Sequence, residues 1–250
     1  MRVGDFLRVA VQAFLFPQEC VICECWLARP DFSTVCDDCL SQLCPLRAPI
    51  CRICGVDVPG LVEDSYGLCP ECRREAPAFD LCRSWGAYEG NLRRLVRRYK
   101  FSGMMRLAVP LAERLASLWE SEFSSLSFDW IIPVPTHPRR TRARGFDHTL
   151  ILSKQLSRAI GCRVLCGGVR RVRNTLPLFG LPPAERRRTL KGAFAVKEAE
   201  RMAHRNVVVV DDILTTGSTV NEVCGLLRNH TSVDRLAVLT VARVPTTRYL

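Results

Sequence analysis

Two adjacent carboxylates, Asp211 and Asp212, followed closely by the polar run Thr215, Thr216, Gly217, Ser218 and Thr219, are the residues best suited to chemistry in this chain. Carboxylate oxygens accept hydrogen bonds from sugar hydroxyls or bind Mg²⁺. Hydroxyls and backbone N–H groups at the start of a helix favour a phosphate, and Gly217 lets the backbone come close to it. Together they suit a sugar carrying a phosphate. The plain alternative is a strand end with two solvated acids and a polar helix cap. No Gly-Lys-Ser/Thr follows the loop, which excludes a Walker A site, and no G-x-G-x-x-G opens a helix after a strand.

A second constellation lies at 133–140, PVPTHPRR. Prolines stiffen a turn, and Arg139 and Arg140 offer guanidinium forks suited to bidentate phosphate contacts. A solvated basic turn is the alternative. His137 and His148 have the chemistry of an acid or base, although a lone histidine is more often a structural hydrogen-bonder.

The third constellation is made of cysteines. Of fourteen, ten lie between Cys20 and Cys72. They include four C-x-x-C pairs: Cys20/Cys23, Cys36/Cys39, Cys51/Cys54 and Cys69/Cys72. Such pairs at intervals of 12 and 14 residues are half-sites of tetrahedral Cys₄ zinc. With every position filled the zinc is structural, one ion or two. Sequential pairing is simplest, cross-braced pairing is the alternative, and Cys25 or Cys44 has the chemistry to replace a neighbour. A disulfide scaffold would need a secretory signal, which we do not find.

These groups need elements to position them. Four valines at 207–210 predict a short strand buried on both faces, leading into the acids. A strand at 85–90, a basic helix over 91–99, a helix over 105–121, a buried strand at 129–135 and a helix over 146–160 precede it. Strands at 163–172 and 192–196 come next, and a helix over 218–228 and a strand at 235–243 follow the acids. This alternation predicts an α/β domain with a mainly parallel sheet over 76–250. Residues 20–75 read as a Cys-rich zinc domain dependent on metal, and 1–19 as an amphipathic helix. No run of eighteen apolar residues exists, so no stable membrane insertion is expected. The net charge of +11 exceeds the needs of a polyphosphate ligand and suggests a polyanion such as nucleic acid.

The stretch 206–219, NVVVVDDILTTGST, looks like the phosphoribosyl-pyrophosphate signature of type I phosphoribosyltransferases. With P-V-P-x-H-P-x-R, R-x-R-G-F, ERRR, GAF and the C-x-x-C pairs in that order, nearly the whole chain resembles the ComF family. The resemblance implies a type I phosphoribosyltransferase fold behind a double zinc ribbon. It implies that Asp211 and Asp212 meet the ribose hydroxyls, directly or through Mg²⁺. Thr215 to Thr219 would hold the 5′-phosphate and the loop from Thr136 to Arg140, with His137 and Arg139, the pyrophosphate. Arg144 and the 185–191 loop would cover the site. The implied activity is transfer of phosphoribose to an unknown nitrogen acceptor. The alternative is a non-enzymatic, single-stranded-DNA-binding accessory protein of competence, working in the cytoplasm with other DNA-uptake proteins. Two departures stand out. Arg144-Gly145-Phe146 continues Asp147-His148 where the family shows Asn-Gln, and the loop around Arg186 lacks the family's Gln and Asn. The second bears on recognition of a nucleotide more than on binding of phosphoribose.

Overall fold

A computed structural model of the chain describes residues 19–27, 34–47, 49–58, 67–175 and 180–245. The amphipathic helix expected over 1–19 lies almost entirely outside them. The first described segments carry two short helices, α1 (Asp37–Ser41) and α2 (Pro70–Arg74), each opening on a cysteine whose sulfur accepts from the backbone N–H three residues on.

Five parallel strands build the main sheet. They are β1 (Leu81–Ala87), β2 (Trp130–Pro133), β3 (Arg163–Val164), β6 (Asn206–Leu214) and β7 (Arg235–Arg243), in spatial order β1-β7-β6-β2-β3. Between them run α3 (Gly90–Phe101), α4 (Ala108–Glu122), α5 (Pro138–Arg144), α6 (His148–Ile160), α7 (Pro183–Leu190) and α8 (Ser218–His230). A separate antiparallel pair, β4 (Val169–Arg171) and β5 (Phe194–Val196), stands apart from the sheet. The valine run explains the central position of β6: Val208 and Val210 pack in one core with α3, α4 and α6, whereas Val207 and Val209 pack in the other with α8. A strand alternates faces, so only a continuous apolar run can fill two cores at once.

The structure differs from the sequence reading in instructive places. The 133–140 segment was expected as a stiff turn; its last three residues begin helix α5, with His137 as N-cap and Pro138 at the first turn. Proline is tolerated there because that N–H has no intrahelical partner. The expected loop at 185–191 is the last part of α7. The strand expected at 163–172 is two short strands in different sheets.

The cysteine-rich segment contributes to two cores. Its second part has a small one of its own around Cys51, Val56, Cys69 and Cys72, but Cys20, Ile22, Val35, Cys39 and Leu43 join the main core. It also covers the β1 edge of the sheet. The Cys82 N–H donates to Ile53 O at 2.7 Å, the Leu46 N–H donates to Trp85 O at 2.8 Å, and Arg243 donates to Cys54 O at 2.7 Å. An uncovered edge strand is a template for aggregation, so this cover has a structural role. Gly55 makes the approach feasible: its φ is +67°, and a Cβ there would lie 2.5 Å from Cys82 O. Gly55→Ala is therefore expected to lower stability by about 1–3 kcal/mol, through αL strain and displacement of the cover. Urea unfolding checks this, and an unchanged midpoint would refute the role given to Gly55.

Candidate functional site

The carboxyl ends of β2 and β6 open into a cleft of about 510 Å³. In open α/β sheets ligands sit beyond these ends. Asp211 and Asp212 lie in the second half of strand β6, ahead of Ile213 and Leu214, and are both buried. The turn after them places Gly217 at φ +74° as the N-cap of α8, and no side chain caps that helix. Its first N–H groups therefore remain available to an anion. Thr215 and Thr219 line the cleft, and Thr216 Oγ1 lies 2.8 Å from Ser218 Oγ in the same turn.

The two acids are not equivalent. Lys100, from the end of α3, places Nζ 2.7 Å from Asp212 Oδ2 and 3.0 Å from Oδ1. His148 Nε2 lies 3.3 Å from the same Oδ2. Arg144 donates to His148 Nδ1 at 2.6 Å. Arginine has no acceptor, so Nδ1 must present its lone pair and Nε2 carries the proton toward Asp212. Thr136 Oγ1 lies 3.4 Å from Nδ1 of the ring, and the buried Tyr99 hydroxyl donates to the His148 backbone O at 2.5 Å. Burial alone would raise the Asp212 carboxyl, but the Lys100 charge and the contact with His148 outweigh it and hold it well below the usual range. Asp211 goes the other way: burial and then the Asp212 charge push it up to about 8, against the pull of Lys100. At neutral pH one carboxyl is ionised and its neighbour largely protonated.

The opposite wall is basic. Arg140 donates to Thr175 O at 2.7 Å, and Arg171 donates to Thr175 Oγ1 at 2.5 Å. One threonine thus holds two like charges side by side. Arg171 Nε is buried with no partner, and burial and then Arg140 lower that guanidinium to about 10. The buried Arg186 of α7 donates to Thr215 Oγ1 at 2.9 Å, which joins the α7 segment to the phosphate-type loop. An uncompensated cluster of guanidinium groups facing a helix N-terminus is suited to an anion of several charges.

Of the residues singled out in the sequence, Asp211, Asp212, Thr215, Thr219, Thr136, Arg140 and Arg144 line this cleft, and Thr216, Gly217 and Ser218 form its turn. His137 and Arg139 do not line it. The His137 ring accepts from the Arg139 N–H at 3.2 Å as a helix cap, and Arg139 is exposed. Lys100, Tyr99, Thr149 and Arg171 were missed as site residues. Lys100 and Arg171 stood out only as members of basic runs, with nothing to tell them from their neighbours.

The cysteines form two clusters. Cys51, Cys54, Cys69 and Cys72 bring four sulfurs within 4.8 Å of one another, as do Cys20, Cys23, Cys25 and Cys36. The Cys54–Cys69 and Cys23–Cys36 sulfur distances are both 3.7 Å. Tetrahedral zinc with bonds of about 2.3 Å sets sulfurs about 3.8 Å apart, so both clusters fit structural zinc. Pairing is sequential, as expected in the simplest case. The four-sulfur set of the first site contains Cys25 where Cys39 was expected, and Cys39 stands beside it, its N–H donating to Cys36 Sγ at 3.4 Å. No helix among the described residues is long and apolar enough to cross a membrane.

Comparison with known proteins gives a consistent picture. Residues 11–73 match the double zinc ribbon domain, and residues 150–249 match the phosphoribosyl transferase domain. The chain is 32% identical to Competence protein F of Haemophilus influenzae over 84% of its own length and 90% of that protein. It is 31% identical to the DNA utilization protein YhgH of Escherichia coli over 81% and 89%. Competence protein ComFC of Bacillus subtilis is 23% identical, over 82% of each chain. Among solved structures, adenine phosphoribosyltransferase from Saccharomyces cerevisiae superposes with a TM-score of 0.36 at 19% identity, over 54% of this chain and 69% of that one.

The unequal acids give a pH test. Between about pH 4 and about 8 the unfolded chain ionises Asp211 while the folded chain keeps its proton. Stability from this group is complete at the acid end and is lost as pH rises through the folded value. Asp211→Asn is therefore expected to melt higher than wild type at pH 8, by a few degrees at about 2–4 °C per kcal/mol, and equally at pH 4. Asp212→Asn is expected to cost about 2–4 kcal/mol at neutral pH, because Lys100 is left without its partner. Thermal melts across pH check both, and a higher-melting Asp212→Asn would overturn the assignment.

Proposed function

We propose, for a chain that belongs to the ComF family, that its cleft binds phosphoribosyl pyrophosphate with Mg²⁺ and presents it for transfer of phosphoribose to an acceptor nitrogen. The observation that carries this reading is the convergence on one cleft of the acid pair, the uncapped N-terminus of α8 and four arginines, Arg140, Arg144, Arg171 and Arg186. In it, the turn from Thr215 to Thr219 receives the 5′-phosphate. Arg140, with Thr136 on the facing loop, receives the pyrophosphate. Asp211 faces the ribose. Asp212 is committed to Lys100 and His148 and orients that wall.

The donor set suits Mg²⁺ through oxygen: Asp211 supplies a carboxylate and the ligand supplies the rest. The ion would neutralise charge developing on the leaving pyrophosphate. Around it, Arg140, Arg171 and Arg186 hold the leaving group, and Asp211 stabilises positive charge growing at the sugar as the nitrogen attacks C1 and pyrophosphate departs. No protein nucleophile is required.

A second reading, a single-stranded-DNA-binding competence accessory, draws on the names of the relatives and on exposed arginines of α3. Arg93, Arg94, Arg97 and Arg98 are exposed, and Arg93 and Arg97 reach the rim of the cleft. Thiolate zinc sites suit the reducing cytoplasm.

Titration calorimetry with phosphoribosyl pyrophosphate and Mg²⁺ tests the first reading. Wild type is expected to bind, with affinity rising from pH 6.5 to about 8 as Asp211 loses its proton. Asp211→Asn is expected to bind at least tenfold more weakly, with a flat pH profile. No binding by wild type would sink the proposal. A gel shift with single-stranded DNA tests the second: affinity should fall steeply with salt, and weaken when Arg94 and Arg98 become alanine.

A further inference from the structure

The two zinc ribbons repeat each other atom by atom, and the repeat exposes one residue that does not belong to it. The Cys20 N–H donates to Cys25 O at 2.8 Å, as the Cys51 N–H donates to Val56 O at 2.8 Å. The Glu24 N–H donates to Cys20 O, as the Gly55 N–H donates to Cys51 O, and these two turn residues share left-handed φ values of +62° and +67°. The Cys36 N–H donates to Cys20 Sγ at 3.4 Å, as the Cys69 N–H donates to Cys51 Sγ at 3.3 Å. The Cys39 N–H donates to Cys36 Sγ at 3.4 Å, as the Cys72 N–H donates to Cys69 Sγ at 3.4 Å. By this correspondence Cys39 is the counterpart of the ligand Cys72, and Cys25 is the counterpart of Val56.

Cys25 is therefore a fifth thiol at a site that needs four, yet its sulfur lies within 4.8 Å of those of Cys20, Cys23 and Cys36. It is also exposed, and so is Cys23, whereas in the second ribbon Cys51, Cys69 and Cys72 are buried. We propose that Cys25 is a modification site: an uncommitted thiol whose oxidation by a peroxide ejects zinc from the first ribbon and leaves the second ribbon loaded.

The chemistry balances. Cys25 gives up its proton as its sulfur attacks one peroxide oxygen, forming the Cys25 sulfenic acid, and the departing hydroxide takes up a proton to give water. The thiolate of Cys36 or Cys23 then attacks that sulfur, the S–S bond forms, and hydroxide leaves and takes up a proton. Two thiols are oxidised by two electrons and hydrogen peroxide is reduced to two waters. The metal is left with three thiolates and dissociates. Val56 offers the second ribbon no such route.

The test uses the full-length zinc-loaded chain, one to two equivalents of hydrogen peroxide and a chromogenic zinc chelator. Wild type is expected to release one zinc per chain and keep the other. Peptide mapping is expected to find Cys25 joined to Cys36 or Cys23. Cys25→Val, which copies the second ribbon, is expected to purify with both zincs and to release metal at least fivefold more slowly. Equal release from Cys25→Val, release of both zincs together from wild type, or a Cys25→Val chain that purifies with one zinc would each overturn the proposal. The last result would make Cys25 an obligatory ligand.

Discussion

Two carboxylates placed side by side at the buried end of a central strand cannot both stay ionised, and the architecture around the cleft follows from how that conflict is resolved. One charge is held by Lys100 and by the N–H of His148. The other is suppressed: Asp211 carries a proton near neutrality because burial and its neighbour both oppose ionisation. The resolution draws together the end of α3, the start of α6 and the end of β6, which are adjacent only in the folded chain. It also couples the floor of the cleft to its rim, since Arg144 fixes the tautomer of the histidine that meets Asp212. A cation arriving at Asp211 would meet a group ready to exchange a proton for a charge.

The basic wall is the counterpart of this acidic floor. Arg140 and Arg171 lean on a single threonine, and Arg186 ties α7 to Thr215. Like charges crowded into a partly desolvated wall destabilise the fold, a cost usual at functional sites, where binding and not folding is the selected property. The zinc ribbons stand away from this chemistry. They cover the exposed edge of the sheet and contribute part of the main core, so metal loading is linked to the integrity of the domain that bears the cleft.

Much of the fold was legible because the signals are local. The valine run predicts a doubly buried strand, and β6 is one. The strand at 235–243 and the helices at 105–121 and 146–160 follow from periodicity within a few residues of where they stand. The C-x-x-C pairs specify zinc because ligand spacing is itself the geometry. The errors came where two physical meanings share one sequence. Pro138 reads equally as a stiff turn and as the first residue of a helix, and the capping contact that decides it is a side-chain hydrogen bond from Arg139 N–H to the His137 ring. The same contact occupies Nδ1 of His137, a residue outside the lining of the cleft.

What the sequence by itself determined was the chemistry on offer: an acid pair ahead of a phosphate-type turn, zinc half-sites, an excess of arginine, and the family these motifs resemble in order. What only the tertiary structure decided was which groups meet. That Lys100 pairs with Asp212 across 112 residues, that Arg140 and Arg171 share Thr175, and that Cys25 stands among the sulfurs of the first zinc site are all facts of proximity. Protonation and reactivity depend on distances of about 3 Å and on the exclusion of water, and neither quantity exists until the chain has closed on itself.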